Sequence, residues 1–198
     1  MKGSFAILLL AALVVGCGGS KTVTRLDPGS TTDLSGKWND ADSRLVAQEM
    51  ISDCLSRAWL TEYAAAQGKK PVVTVGSIRN ETSEHINTET FTKDFERELI
   101  NSGQVRFVAA KDQRAEIREE RQEQQEFSSR ETMKRFREET GADFVLVGSI
   151  KTIIDQEEGT RVVFYQTDLE LIDVETIEKA WIGTKKIKKG ITQGKWKT

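Results

Sequence analysis

The chain has 198 residues, and its 29 basic and 31 acidic side chains give a formal net charge of −2 at pH 7. That balance excludes the strongly basic surface typical of a nucleic-acid-binding protein. Apolar residues make up 37% of the sequence and charged residues 30%, which is typical of a globular domain with a heavily charged surface. The length suits one such domain with short flanking segments.

The amino terminus has the pattern of an export signal. Lys2 precedes an unbroken apolar run from Phe5 to Val15, which is too short for a transmembrane helix of about 20 residues. The run ends in VVGC (14–17), which resembles a bacterial lipobox. The resemblance implies that residues 1–16 are a signal peptide and that Cys17 carries acyl chains such as palmitate. The alternative is an ordinary signal peptide with a chance cysteine at its end.

Residues 17–35 are predicted to be a flexible tether between the lipid and the domain. They are rich in Gly, Ser, Thr and Asp, and they hold Pro28. Fully extended, the 18 residues after Cys17 reach about 60 Å, at roughly 3.3 Å each. Gly18 rather than aspartate follows Cys17, and by resemblance to sorted lipoproteins this points to the outer membrane, with the domain facing the periplasm. Residues 36–198 are predicted to form that domain.

The first half of the domain predicts helices alternating with strands. Asn39 or Asp40 caps a helix that continues to about Ala66, with an apolar face of Ala47, Ile51, Cys54, Leu55, Ala58 and Trp59. A strand over 72–78 and a polar loop over 79–85 follow. The next helix is predicted over 88–101, and the residues expected to face the core are Phe91, Phe95, Leu99 and Ile100. A short strand is predicted over 105–109.

The second half predicts charged helices followed by a β-meander. Residues 111–139 read as two helices, and a capping-box pattern starts the second at Ser128. Strands follow at 143–155, 161–173 and 180–191. Helical crossovers favour parallel pairing of the first three strands, and tight turns favour antiparallel pairing of the last three. The predicted fold class is therefore α/β (mixed α+β), with a mixed sheet of about five strands and helices packed on it.

The sequence lacks the usual patterns of catalysis and metal binding. No GxSxG or GxxxxGK[ST] motif is present, and His85, the only histidine, lies in a polar loop. If Cys17 is acylated, the remaining cysteine is Cys54, which we interpret as a buried small hydrophobe rather than a reactive thiol. One histidine and one cysteine do not make a typical zinc site. We expect no enzymatic activity, no cofactor and no metal.

The tetrapeptide VGSI occurs twice, at 75–78 and 147–150. Each copy lies within or at the end of a predicted strand. A single glycine in a strand predicts close packing or a β-bulge there, more than a ligand-binding loop.

Three polar regions are candidates for partner contact, and each has a purely structural alternative. Trp38 fits an interface hot spot or a side chain folded back on the first helix. The loop after the first strand, with Arg79 and Asn80, fits a binding loop or a loop rich in helix caps. The segment from Lys179 to Thr198 has seven lysines and no acid, which fits contact with anionic groups or protection of an edge strand.

Long stretches of the sequence, including DLSGKWNDADSRLVAQEMISDCL, KPVVTVGSIRNETSEHINTETF and AWIGTKKIKK, resemble the LpoB family of penicillin-binding protein activator lipoproteins. The resemblance extends over nearly all of 33–191. It implies a domain similar to the amino-terminal domain of TolB and a monomeric, non-enzymatic protein. It also implies binding and stimulation of a bifunctional class A penicillin-binding protein, and so regulation of peptidoglycan synthesis and cell shape.

The tether departs from that family. The best-known members have a long, proline-rich tether, whereas this one is short and has one proline. A short tether suits an alternative function, that of an accessory lipoprotein in an outer-membrane secretion or assembly complex, similar only in fold to the curli-secretion lipoprotein.

Overall fold

The computed structural model describes residues 22–127 and 139–192. Cys17 and the helix predicted from Ser128 lie outside the described residues. Within them the helices are α1 (Asp40–Leu55), α2 (Ala58–Gln67), α3 (Thr88–Asn101) and α4 (Lys111–Phe127). The strands are β1 (Val72–Asn80), β2 (Arg106–Phe107), β3 (Phe144–Glu157), β4 (Thr160–Asp173) and β5 (Lys179–Thr192). None of these helices combines the length and apolar content that crossing a bilayer requires.

The strands form one sheet in the order β2-β1-β3-β4-β5. Strand β1 pairs in parallel with both β2 and β3, while β3, β4 and β5 pair antiparallel. The β3–β4 hairpin closes at Glu158 and Gly159, both with positive φ, as a tight turn of type I′ requires. The predicted mixed α+β fold with a parallel part and an antiparallel meander is confirmed.

The predicted single helix from Asn39 to Ala66 is wrong, because the chain breaks between α1 and α2. Helix α1 ends as the Ser56 amide donates to the carbonyls of Ser52 and Asp53 at 3.2 and 3.1 Å, and Arg57 is extended at φ −89°, ψ 160°. The indole of Trp59 then donates to the Cys54 carbonyl at 2.7 Å. As a result Ala58 is exposed.

The start of α1 is capped as predicted. The Asn39 side chain accepts from the Asp42 amide, and the Asp42 carboxylate accepts from the Asn39 amide at 2.9 Å. This reciprocal pair satisfies two amide groups that a helix start leaves without partners.

The core lies between the helices and one face of the sheet. Helix α1 packs on α3 and β5, and α3 packs on β1. The fully buried residues include Phe91, Phe95, Leu99, Tyr165 and Leu169. The prediction that Ile100 faces the core is wrong. Ile100 is 53% exposed, because it lies about 100° around the helix from the buried Leu99.

Cys54 is buried within this core. Burial raises the pKa of its thiol to about 12, so the thiolate is not populated at neutral pH. The interpretation of Cys54 as a buried small hydrophobe is confirmed.

The two VGSI glycines lie where larger residues do not fit. A Cβ on Gly148 would stand 2.4 Å from the Asp168 carbonyl oxygen and 2.5 Å from Leu169 Cδ2. Gly76 lies at a register shift of β1 against β3, and its Cβ would stand 3.0 Å from Val145 Cγ2. Close packing at one glycine and a bulge at the other confirm the prediction.

Candidate partner-binding surface

The segment before α1, residues 31–39, runs along the domain and is named here the strap. Trp38, in the strap, is half-buried, and its indole N–H donates to Ser43 Oγ at 2.8 Å. Its ring meets those of Phe91 and Tyr165 edge-on, at centroid distances of 5.6 and 5.5 Å. These contacts match the structural alternative for Trp38, a side chain folded back on the first helix. A partner contact by Trp38 stays a prediction.

Glu84 connects the strap to the loop after β1 and to the sheet. Its carboxylate accepts from the Trp38 amide at 3.1 Å and from the Tyr165 hydroxyl at 2.8 Å. Asn80 fixes this loop, because its side-chain amide donates to the Glu84 carbonyl at 2.8 Å and its oxygen accepts from the Thr82 amide at 3.0 Å. Trp38 and Asn80 therefore belong to one network that holds the strap in place.

Lys189 closes the same network from β5. Its ammonium group lies 2.6 Å from both the Asp33 and the Asp42 carboxylates and donates to the Lys37 carbonyl at 3.0 Å. Burial opposes the charged form of Lys189, but the hydrogen bonds that its ammonium group donates to the two carboxylates outweigh this effect, and its pKa rises above the usual value. The hydrogen bond from Lys189 also holds the pKa of Asp33 below its usual value.

The contacts of Lys189 reach into the segment before α1. The folded unit starts at Thr31, so Asp33, predicted to lie in the tether, contacts the domain. Gly36 in the strap has a φ of +69°, and a Cβ there would stand 2.4 Å from the Ile191 side chain. The strap therefore lies directly against the end of β5.

Arg79 lies elsewhere, on the face of the sheet opposite to α1 and α3. Side chains alternate along a strand, so the burial of Val163, Tyr165 and Leu169 on the helix side places Phe164 and Gln166 on the other side. We name that side the outer face. None of the described helices α1 to α3 packs on it, since their sheet contacts involve the buried side.

The strand register brings residues distant in sequence into three rows on the outer face. One row is Arg79, Ser149, Asp168 and Thr184; the next is Lys151, Gln166 and Lys186; the third is Ile153, Phe164 and Lys188. Of the predicted candidates, Arg79 and two of the C-terminal lysines therefore share one surface. Trp38 and Asn80 do not belong to it.

These three rows of the outer face are basic around an apolar pair. They hold four basic side chains, namely Arg79, Lys151, Lys186 and Lys188, against the single carboxylate of Asp168. Ile153 is 67% exposed, and Phe164 beside it is half-buried. Among the described residues Lys186 and Lys188 have no ion pair, whereas Arg79 pairs with Glu81 at 3.0 Å.

Asp168 anchors the polar centre of the outer face. Burial opposes its ionisation, but hydrogen bonds from Thr184, Gln166 and Lys151 outweigh this and hold its pKa below the usual range. Thr184 donates at 2.8 Å and Lys151 lies 3.4 Å away. The carboxylate therefore stays charged and fixes its neighbours, which leaves the two lysines of β5 available for contact with an anionic partner.

Sequence reasoning did not single out Lys151, Ile153 or Phe164. Each stands in a strand with a clear alternating pattern, but the pattern alone does not show which neighbours share its face. The bulge in β1 sets the row that contains Arg79, and no short motif marks that register.

His85 is exposed in the loop after β1, and within the described ranges no group of three or more His, Cys, Asp or Glu residues is placed to hold a metal ion.

A model of the family described as peptidoglycan-synthase activator LpoB matches residues 42–187. Among solved structures, the LpoB C-terminal domain from Escherichia coli is 21% identical, covers 74% of this chain and 98% of its own, and has a TM-score of 0.42. The NMR structure of E. coli LpoB is 17% identical, covers 98% of this chain and 91% of its own, and has a TM-score of 0.41.

A further solved structure is the lipoprotein GNA1162 from Neisseria meningitidis. It is 13% identical, covers 62% of this chain and 84% of its own, and has a TM-score of 0.39. The search of curated proteins finds no match. The family model covers well over half of the chain, and the chain therefore belongs to the LpoB family of peptidoglycan-synthase activators.

Proposed function

We propose that this protein binds a bifunctional class A penicillin-binding protein through the outer face and stimulates peptidoglycan synthesis. Membership of the activator family supports the role. The single observation that carries the choice of surface is the set of three basic, partly apolar rows on the outer face, centred on Phe164. The protein acts as a regulator and carries out no chemistry itself.

The chemistry of the outer face suits a protein partner. Interfaces have an apolar centre with a polar rim, and here Ile153 and Phe164 lie beside the lysines of β5. Lys186 and Lys188 steer an acidic surface toward this centre and fix its orientation. The partner surface is therefore acidic around a small apolar patch.

Stimulation follows from binding if the partner has two conformations. A regulator that binds the active conformation more tightly shifts the population toward it. The change in the free-energy difference between the two conformations equals the difference in their binding free energies. A rigid sheet face suits this task, because its rows are fixed by backbone pairing on both sides of β4.

The proposed location follows from the sequence. The protein is anchored in the outer membrane by acyl chains on Cys17, with its domain in the periplasm. Three acyl chains exceed the marginal binding that a single chain provides. Substitution Cys17→Ala is expected to release the protein from membranes, which fractionation of the envelope measures.

In-cell photocross-linking tests the partner and the surface together. A photoreactive phenylalanine analogue replaces Phe164, and a matched control carries it at Glu89, which is exposed at the start of α3. We expect an adduct with a class A penicillin-binding protein from position 164 and none from position 89. Adducts with outer-membrane proteins alone would contradict the proposal and favour the secretion or assembly role.

A further inference from the structure

A second surface lies at the start of β5, between α2 and the turn that joins β4 to β5. We name this surface the aromatic groove. Its volume is about 740 Å³, within the range of sites that hold ligands or inserted side chains. Its walls include four aromatic residues, Trp59, Tyr63, Phe144 and Trp181. Trp59 and Tyr63 meet the Phe144 ring edge-on, at centroid distances of 5.0 and 5.4 Å.

Hydrogen bonds and close packing hold these rings in place. The Trp59 indole donates to the Cys54 carbonyl at 2.7 Å, and the Trp181 indole donates to Asp53 at 2.8 Å. The Trp181 ring lies over Gly183, where a Cβ would stand 2.2 Å from the ring. The groove is therefore preformed, and a side chain that enters it does not have to order its walls.

The rim of the groove has an excess of negative charge. Its two basic residues are already paired, Arg57 with Asp53 and Lys179 with Glu170 at 2.7 Å. Glu62 and Glu178 are exposed, and neither carboxylate has an ion pair within the described part of the chain. The carboxylates that remain available therefore favour a cation in or beside the groove.

The turn beside the groove exposes a large apolar side chain. Ile177 is 72% exposed. Ile177 has a φ of +63°, a conformation that is rare and unfavourable for a β-branched residue. The Ile177 amide donates to the Asp173 carbonyl at 2.9 Å, so the turn holds this side chain outward. The exposed, strained Ile177 gains no packing within the described part of the domain. A strained residue without such compensation favours a role in contact with a partner.

The groove lies far from the point where the strap joins the domain. Trp181 is at one end of β5 and Lys189, which holds the strap, is toward the other. Lys189 is eight positions further along the strand, or about 26 Å at roughly 3.3 Å per residue. A partner can therefore reach the groove without displacing the strap.

We propose that the aromatic groove binds a segment of a partner protein in which an arginine or lysine adjoins an apolar side chain. The cation lies against Tyr63, which is half-buried whereas the other three aromatic residues are buried, and it pairs with Glu62 or Glu178. The apolar side chain packs on Ile177. This site is independent of the outer face and of the proposed synthase contact.

Indole NMR signals of the mature chain, residues 17–198, test the groove directly. The probe is N-acetyl-arginyl-leucinamide, and the matched control is N-acetyl-glutamyl-leucinamide. We expect the arginine probe to shift the indole N–H signals of Trp59 and Trp181 at millimolar concentration and to leave that of Trp38 unchanged. We expect the glutamate probe to shift none of them. Equal shifts with both probes, or none with the arginine probe, would overturn the proposal.

Two variants separate binding from folding. Joint substitution Glu62→Gln and Glu178→Gln is expected to weaken arginine-probe binding at least fivefold, while Glu157→Gln at the other end of the sheet leaves it unchanged. Ile177→Gly relieves the strained backbone, so it is expected to raise the melting temperature and still weaken probe binding. Retained affinity in both groove variants would contradict the site. Shifts caused by vesicles of phosphatidylethanolamine and phosphatidylglycerol, without shifts from the arginine probe, would mean that the groove meets lipid instead.

Discussion

The two faces of the sheet use the same strands for different purposes. On the face toward α1 and α3, β4 presents Val163, Tyr165 and Leu169, all with no exposed surface. On the outer face it presents Phe164, Gln166 and Asp168, which are only partly covered. Neighbouring residues of one strand thus differ in role, the first set giving stability and the second giving a surface for recognition.

This difference teaches how the protein can vary its partner without losing its fold. The buried face is fixed by packing, where single methylene groups matter. The outer face is constrained mainly by backbone pairing, so its side chains can change at small cost in stability. Substitutions on the two faces should therefore separate folding from binding.

The largest contrast is expected between Leu169→Ala and Phe164→Ala. Leu169 is fully buried, and its truncation should reduce the free energy of unfolding by about 3 to 4 kcal/mol. Phe164 is half-exposed, so its truncation should cost about 1 kcal/mol or less and weaken partner binding instead. Urea denaturation measures both. Equal losses in the two variants would mean that the outer face is also a packed surface.

A second contrast concerns two lysines of β5. Substitution Lys189→Met leaves Asp42, which is 5% exposed, with an unpaired buried charge, and should reduce the free energy of unfolding by about 3 kcal/mol. Lys188→Met, on the exposed side of the strand, should change it by about 0.5 kcal/mol or less. Thermal or urea unfolding distinguishes them. A stable Lys189→Met variant would show that the strap is held without this lysine.

Two glycines give a smaller contrast. A methyl group at Gly148 meets the Asp168 carbonyl and the Leu169 side chain, and this overpacking should cost about 2 kcal/mol in Gly148→Ala. At Gly190, on the exposed side of β5, nothing lies within 4 Å of the added methyl, so Gly190→Ala should be close to neutral. If both substitutions prove neutral in urea unfolding, β3 and β4 pack more loosely than the structure indicates.

The smallest expected effect is a pH dependence of the strap. The pKa of Asp33 is held below its usual value by Lys189, so its contribution to stability is present above the unfolded-state pKa and is lost as pH falls through the folded-state pKa. Asp33→Asn should remove this part of the acid dependence. Urea unfolding at pH 3 to 6 measures it, and identical pH profiles for the two proteins would mean that the ion pair does not stabilise the strap.

The sequence allowed the fold to be predicted better than the surface. Period-two patterns revealed β3, β4 and β5, and the inward stripe of Phe91, Phe95 and Leu99 revealed α3. The break after α1 was missed, because Ser56 and Arg57 are both compatible with a helix and the break depends on the tertiary position of Trp59. The link from Trp38 through Glu84 to Tyr165 joins residues 46 and 81 positions apart, which no local pattern indicates.

The candidate surface was predicted only in part. Arg79 and the lysines of β5 stood out by charge, but the register that places them beside Ile153 and Phe164 depends on a bulge and on the pairing of four strands. Trp38 and Asn80 stood out as well, yet the structure shows them holding the strap and the loop after β1.

Glycan polymerisation by a purified class A penicillin-binding protein from the same bacterium tests the central claim most directly. The synthase is assayed alone, with the wild-type protein, and with a variant that carries Phe164→Ala, Lys186→Glu and Lys188→Glu. Glu89→Lys serves as a surface control. We predict stimulation by the wild type and the control, and at least a tenfold loss of apparent affinity in the triple variant, with a loss of stability of only about 1 kcal/mol. Full stimulation by the triple variant would contradict the assignment of binding to the outer face, and no stimulation by the wild type would contradict the proposed activation of this synthase.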